Sequence, residues 1–316
     1  KDPTETLPPT NTPLPPTDTL VPTETALPTE TLIPSPTPYA GTPRIVFASN
    51  RGGDPNKLEL FLMDLETYEI SLINTDLEVN LPPKWSPDGN KILFSTPEVW
   101  NLYTIRPDGS ELTQLTDFRS NNADWSPDGS QIVFQSDHQN EPEDTPDIYI
   151  IDAMIENLLE ILDAPDIIDY NPRWSPDGAK IAFLKPDFAT GLLKIHIIDS
   201  YNGTDYGFHD IATDRFCLSP DNVHIALSMG AYNSNDKYYA EVIYTDIEGQ
   251  NNINQLTFDN ETRSNLPVGF SNKGNKIYFI SYIELDEFLS TSEISVIDID
   301  GKNRKVLRTV NNIGKA

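Results

Sequence analysis

The chain has 316 residues, with 49 acidic against 22 basic side chains and a formal net charge of −27. An acidic surface of that size repels phosphate backbones and anionic lipid heads, which argues against nucleic acid and bare membrane as partners. It leaves cations and basic surfaces open. The single cysteine, Cys217, excludes an intrachain disulfide, and no apolar run approaches the ~20 residues of a membrane-spanning helix.

Residues 1–43 hold 12 of the chain's 27 prolines and 12 threonines. Such a stretch buries too little apolar surface to fold alone and favours extended polyproline II. It is also periodic. Pro16-Thr17-Asp18-Thr19-Leu20-Val21, Pro22-Thr23-Glu24-Thr25-Ala26-Leu27 and Pro28-Thr29-Glu30-Thr31-Leu32-Ile33 follow one another. A six-residue period is two turns of a three-residue helix, so Leu20/Val21, Ala26/Leu27 and Leu32/Ile33 line one edge. A plain spacer has no need of that edge. The threonines Thr17, Thr19, Thr23, Thr25, Thr29 and Thr31, crowded by proline, are candidates for O-glycosylation.

From Arg44 one strand recurs six times: Arg44-Ile45-Val46-Phe47, Lys91-Ile92-Leu93-Phe94, Gln131-Ile132-Val133-Phe134, Lys180-Ile181-Ala182-Phe183, His224-Ile225-Ala226-Leu227 and Lys276-Ile277-Tyr278-Phe279. The isoleucines stand 47, 40, 49, 44 and 52 residues apart, the length of a four-stranded blade. A second strand follows each, as in Leu60-Phe61-Leu62-Met63-Asp64 or Ile148-Tyr149-Ile150-Ile151-Asp152. Shorter outer strands come next, for example Gln114-Leu115-Thr116 and Gln255-Leu256-Thr257. Before five of the six core strands stands a turn: Trp85-Ser86-Pro87-Asp88-Gly89, Trp125-Ser126-Pro127-Asp128-Gly129, Trp174-Ser175-Pro176-Asp177-Gly178, Leu218-Ser219-Pro220-Asp221-Asn222 and Phe270-Ser271-Asn272-Lys273-Gly274. Proline presets the first turn position, and Gly or Asn supplies the left-handed one.

The Trp-Ser-Pro-Asp-Gly turn, the Lys-Ile-x-Phe strand and the Ile-Tyr-x-x-Asp strand resemble the repeats of TolB-like (WD40-like, PD40) propellers over roughly residues 44–310. The resemblance implies an all-β, six-bladed β-propeller at 44–316, preceded by an extended polyproline-II-like segment at 1–43. The leader resembles that of exported, surface-tethered bacterial proteins, which implies an extracellular or cell-surface location. A start at Lys1 rather than Met fits either a processed exported protein or a trimmed one.

Each candidate site has a structural competitor. Asp88, Asp128 and Asp177 occupy the turn position that asks for aspartate. Oligogalacturonate lyases resemble this repeat and hold a metal with several histidines. Here His196 fills the slot of Phe61 and Tyr149, and His224 that of Lys91 and Lys180, so both read as repeat substitutions. His138 and His209 are the remaining histidines. The loop Asp137–Asp147 could hold Ca²⁺ through Asp137, Glu141, Asp144 and Asp147, but it lacks a calcium-loop spacing. No other cofactor is expected. Asn202-Gly203-Thr204 and Asn260-Glu261-Thr262 match the short N-glycosylation pattern. Cys217, in Phe216-Cys217-Leu218, reads as a buried small hydrophobe. No Gly-x-Ser-x-Gly elbow, Walker loop or dinucleotide-binding glycine pattern occurs.

Two functions are compatible with these features. The favoured one is a non-catalytic extracellular module that self-associates through its tail at Leu20, Val21, Ala26, Leu27, Leu32 and Ile33, and so builds filaments. The alternative is a propeller enzyme, a polysaccharide lyase or hydrolase, working in the central channel. The absence of convergent histidines and of any nucleophile–base set favours the first, and a count of strands points to the tail as connector. The blade beginning at Arg44 has no turn strand of its own, residues 311–316 can supply at most a poor one, and Tyr39–Pro43 is too short.

Overall fold

The computed structural model describes residues 43–313 except 55, 98–99, 137–146, 154–157, 161–168, 191, 214, 233–237, 248–252, 260–262 and 285–288. The tail's polyproline expectation lies outside the described residues, and all the described strands belong to the unit formed by residues 34–316.

Every regular element described is a strand. The strands reproduce the six repeats in order. Blade 1 is β1 (Arg44–Ser49), β2 (Glu59–Asp64) and β3 (Ile70–Ile73). Blade 2 is β4 (Asn80–Trp85), β5 (Ile92–Ser95), β6 (Leu102–Ile105) and β7 (Thr113–Gln114). Blade 3 is β8 (Ser120–Trp125), β9 (Gln131–Ser136), β10 (Asp147–Asp152) and β11 (Leu158–Glu160). Blade 4 is β12 (Tyr170–Trp174), β13 (Lys180–Asp187), β14 (Leu192–Asp199) and β15 (Asp205–Ala212). Blade 5 is β16 (Phe216–Leu218), β17 (His224–Tyr232), β18 (Tyr238–Asp246) and β19 (Asn254–Gln255). Blade 6 is β20 (Ser264–Phe270), β21 (Lys276–Glu284), β22 (Leu289–Asp298) and β23 (Lys305–Ile313).

Within each blade neighbours are antiparallel and consecutive; a single parallel bridge, Ala240 to Ser264, joins blades 5 and 6 into one sheet. Blade 1 has three strands, and β1 is its edge. The position filled by β4, β8, β12, β16 and β20 in the other blades has no strand among the described residues. The C terminus does not fill it. Residues 311–313 continue β23, pairing with Thr291, Ser290 and Leu289 of β22.

The side chains explain how the blades stack. Strand alternation gives each blade two apolar faces, one toward each neighbour. Between blades 1 and 2, Leu60, Leu62 and Ile73 meet Ile92, Phe94 and Ile105. Equivalent cores lie between blades 2 and 3, 3 and 4, 4 and 5, and 5 and 6. In each, the Ile and Phe of the Lys-Ile-x-Phe strand look back at the preceding blade. The aromatic or Leu of the turn (Trp85, Trp125, Trp174, Leu218, Phe270) enters the same core. Every turn strand thus plugs the seam between its own blade and the one before.

No sixth core appears among the described residues. Ile45 of blade 1 is 43% exposed, although its repeat counterpart Ile92 is 0% exposed. On blade 6, Tyr278 is 37% and Ile294 42% exposed, where the counterparts Leu93 and Leu102 are each 2%. On the two faces that would form the sixth seam these three side chains are exposed, while Phe61, stacked on Phe47, is 6% exposed.

Candidate functional site

Each Ser-Pro-Asp-Gly turn is a closed hydrogen-bond circuit. The Ser86 hydroxyl donates to Asp88 Oδ1 at 2.6 Å and accepts the Lys91 N–H at 2.9 Å. Ser126 and Ser175 repeat both bonds with Asp128 and Gln131, and with Asp177 and Lys180. In blade 5, Asn222 takes the left-handed position at φ 58° that Gly89 holds at 70°. These carboxylates are committed to their turns.

Burial alone would raise the Asp88 and Asp128 carboxyls, but the serine hydroxyls and neighbouring N–H donors outweigh it and hold both below the usual range. A carboxyl with a folded pKa below its unfolded value adds stability above about pH 4, and that contribution disappears as pH falls through the folded value. The melting temperature should therefore hold between about pH 7 and 5 and drop below about pH 4, less steeply in Asp128→Asn. A melting temperature that ignores acid, measured by circular dichroism, contradicts this account of the turns.

The histidines are dispersed. His196 on β14 packs against Phe183 in a tilted pair, with ring centroids 5.8 Å apart. His224 bonds Asp221 Oδ2 through Nδ1 at 2.7 Å and stacks on Tyr244. His209 lies on β15 opposite Ile195, and His138 lies outside the described residues. Among the described residues no three His, Cys, Asp or Glu side chains gather as metal ligands. Of the calcium candidates, Asp137, Glu141 and Asp144 lie outside the described residues. Asp147 is fully buried at the start of β10, opposite Ser136. Cys217 is partly buried beside the core between blades 5 and 6, and desolvation pushes its thiol up to about 12. The tail positions Leu20, Val21, Ala26, Leu27, Leu32 and Ile33 and the six threonines also lie outside the described residues. No helix among those described is long and apolar enough to cross a membrane.

One charged feature escaped the sequence reading. The residue before the aromatic of each turn pairs with the third residue of the core strand: Lys84 with Leu93, Asp124 with Val133, Arg173 with Ala182. Lys84 Nζ donates to Asp124 Oδ1 at 2.7 Å, and Asp124 Oδ2 accepts the Trp174 N–H at 3.2 Å. Arg173 donates to the Asn122 carbonyl at 3.3 Å. Burial lowers the Lys84 amine to about 8 against the attraction of Asp124, and the Arg173 charge adds to the lowering. These bonds tie the inner strands of blades 2, 3 and 4. They surround a cavity of about 30 Å³ lined by Pro82, Asn122 and Ala123, the size of one water. Comparing the position before each Trp across repeats would have revealed the row.

The remaining feature is the inner position of blade 1, which no strand fills among the described residues. The Leu65 N–H donates to the Pro43 carbonyl at 2.8 Å, which sets the phase of the β1–β2 ladder. Partners alternate between bonded and non-bonded pairs, so Ile45, Phe47 and Ser49 bond to β2. The N–H and C=O groups of Val46 and Ala48 then point away from β2, toward the side where no described strand pairs. Above the open face the Arg51 guanidinium lies 4.7 Å from the Phe47 ring centre.

The sequence pattern of the TolB beta propeller domain matches residues 25–185. The chain belongs to the TolB β-propeller family. Among solved structures it is similar to TolB from Acinetobacter baumannii, with a TM-score of 0.62 and 21% identity over 86% of this chain. The match spans 64% of that TolB. A TolB from Agrobacterium tumefaciens is 20% identical over 80% of this chain and 89% of its own, with a TM-score of 0.59. An oligogalacturonate lyase in complex with manganese is 15% identical over 86% of this chain and 75% of its own, with a TM-score of 0.60. At these identities the likeness concerns the fold. A search of curated proteins finds no match.

Proposed function

We propose that this TolB-family chain is an exported structural module: the propeller is a rigid body, and residues 1–43 connect it to the next subunit. A connector that leaves one subunit and enters another does not close on itself, so copies joined this way grow into a filament. One observation carries the reading. Five seams are packed among the described residues, while at the sixth Ile45, Tyr278 and Ile294 are exposed and no described strand fills the inner position of blade 1. Monomeric proteins seldom leave strand edges and contiguous apolar surface of that kind uncovered. The non-catalytic side of the reading is supported by His196, packed against Phe183, and by His224, stacked on Tyr244 and bonded to its turn aspartate.

Deleting residues 1–38 tests it. The truncated chain should keep its strand circular dichroism signature and sediment as a monomer, while the intact chain assembles. A truncated chain that forms the same oligomer, or an intact chain that stays monomeric at every concentration, defeats the proposal.

A further inference from the structure

We infer that the tail of a second copy occupies the inner position of blade 1, which no described strand fills, pairing with Val46 and Ala48 and driving its aliphatic side chains into the seam between blades 6 and 1. The inference rests on the connector reading above and names its acceptor.

Three observations point to that slot. The first is what the slot lacks. In five blades the inner strand delivers Trp85, Trp125, Trp174, Leu218 or Phe270 into the seam with the preceding blade. Among the described residues blade 1 has no such side chain. Its seam surfaces, Ile45 with Phe47 on one side and Tyr278 with Ile294 on the other, are apolar and lack the packing their repeat counterparts have.

The second is that the inner position accepts proline. β4 contains Pro82 and Pro83, β12 Pro172 and β20 Pro267. Each of these strands breaks register at or beside its prolines. Pairing resumes at the residue before the aromatic, so a strand here needs few backbone donors. The tail is built alike. Leu81 and Leu266 of the inner strands are followed directly by proline, as are Leu7, Leu14, Val21, Leu27 and Ile33 of the tail. The family match itself begins at residue 25, inside the tail.

The third concerns which copy supplies the strand. In all five complete blades seven residues separate the plugging side chain from the core isoleucine: 85 to 92, 125 to 132, 174 to 181, 218 to 225 and 270 to 277. Seven residues before Ile45 stands Pro38, and residues 34–38 alternate proline with serine and threonine. The chain's own approach to β1 therefore brings no large apolar side chain at the turn spacing. The aliphatic pairs begin at Ile33, 12 residues upstream of Ile45. A tail arriving from another copy is free of that spacing and can set Leu20/Val21, Ala26/Leu27 or Leu32/Ile33 against Ile45 and Phe47. Main-chain bonds to Val46 and Ala48 fix its direction, and the seam selects its side chains.

Site-specific cross-linking tests this. An acceptor lacking residues 1–38 and carrying Ile45→Cys is mixed with full-length donors carrying Leu20→Cys, Leu27→Cys or Leu32→Cys. Both carry Cys217→Ser, so that the partly buried native thiol cannot compete. At least one donor should form the mixed disulfide on mild oxidation, while an acceptor carrying Tyr206→Cys, exposed on blade 4, should not. Separately, Ala48→Pro in the intact chain removes an N–H that β2 does not use, so the monomer should melt within a few degrees of wild type. Its critical concentration for assembly should rise at least tenfold. Equal cross-linking to Tyr206→Cys, or cross-linking within one dilute full-length chain that carries both cysteines, overturns the inference. If tail deletion abolishes assembly but no donor reaches Ile45→Cys, the connector reading stands and this acceptor is wrong. If truncated chains still assemble, both fall.

Discussion

Ile92→Ala should lower the free energy of unfolding by about 2–5 kcal/mol, whereas Ile45→Ala in the tail-deleted monomer should cost less than about 1.5 kcal/mol. The two isoleucines hold the same place in their repeats. Ile92 is 0% exposed between Leu60, Leu62 and Phe94, so truncation leaves a cavity that close-packed neighbours collapse only partly. Ile45 is 43% exposed and already surrenders much of its surface to water. Urea titrations of both variants measure the difference directly. Equal losses would mean that the seam between blades 6 and 1 is packed as tightly as the others. In the assembled state the order should change, with Ile45→Ala weakening subunit contacts that Ile92→Ala leaves alone.

Glu241→Ala should be nearly as damaging, about 2–4 kcal/mol, because three donors lose their acceptor in the interior. Glu241 lies on β18, 5% exposed. It takes the Thr257 hydroxyl, the Asn265 amide at 3.0 Å and the Asp259 N–H at 2.8 Å. Asn265 in turn accepts from Ser281 at 2.6 Å, and Arg304 clamps Asp259 at 2.7 and 2.9 Å. The network runs from blade 5 through β20 to β21, so its loss should loosen blade 6 first. Hydrogen exchange should show early opening of β20 and β21, with blades 2 and 3 protected. Glu241→Gln keeps an acceptor oxygen and should lose about half as much. Uniform exchange across all blades would contradict this placement.

Much of the strand plan was legible because a repeat states the same local rule many times. Turn serine, proline, aspartate and glycine sit within five residues of one another, and their bonds are local, so Ser86 with Asp88 and Lys91 follows from spacing alone. The structural reading of those aspartates, and of His224 as a repeat substitution, rests on the same locality. The Gln-Leu-Thr outer segments show where locality ends. They serve mainly as caps: the Gln114 amide donates to the Thr116 carbonyl, and the Thr116 hydroxyl accepts the Leu102 N–H. The first bond spans two residues and the second fourteen, and only the first could be read from spacing.

Composition, periodicity and turn chemistry were sufficient by themselves to define an all-β repeat protein, its six core strands and the turn strand missing from the first. Those are statements about which residues neighbour one another along the chain. The tertiary structure decided which faces meet. It showed that the plugging side chain of each turn enters the seam with the preceding blade, that Lys84, Asp124 and Arg173 form a row, and that residues 311–313 belong to blade 6. The physical reason is that strand alternation assigns a side chain to a face but never says what covers it. Covering is a property of blades about 50 residues apart, set by stacking distance and twist, and it appears only when the sheets are placed against each other.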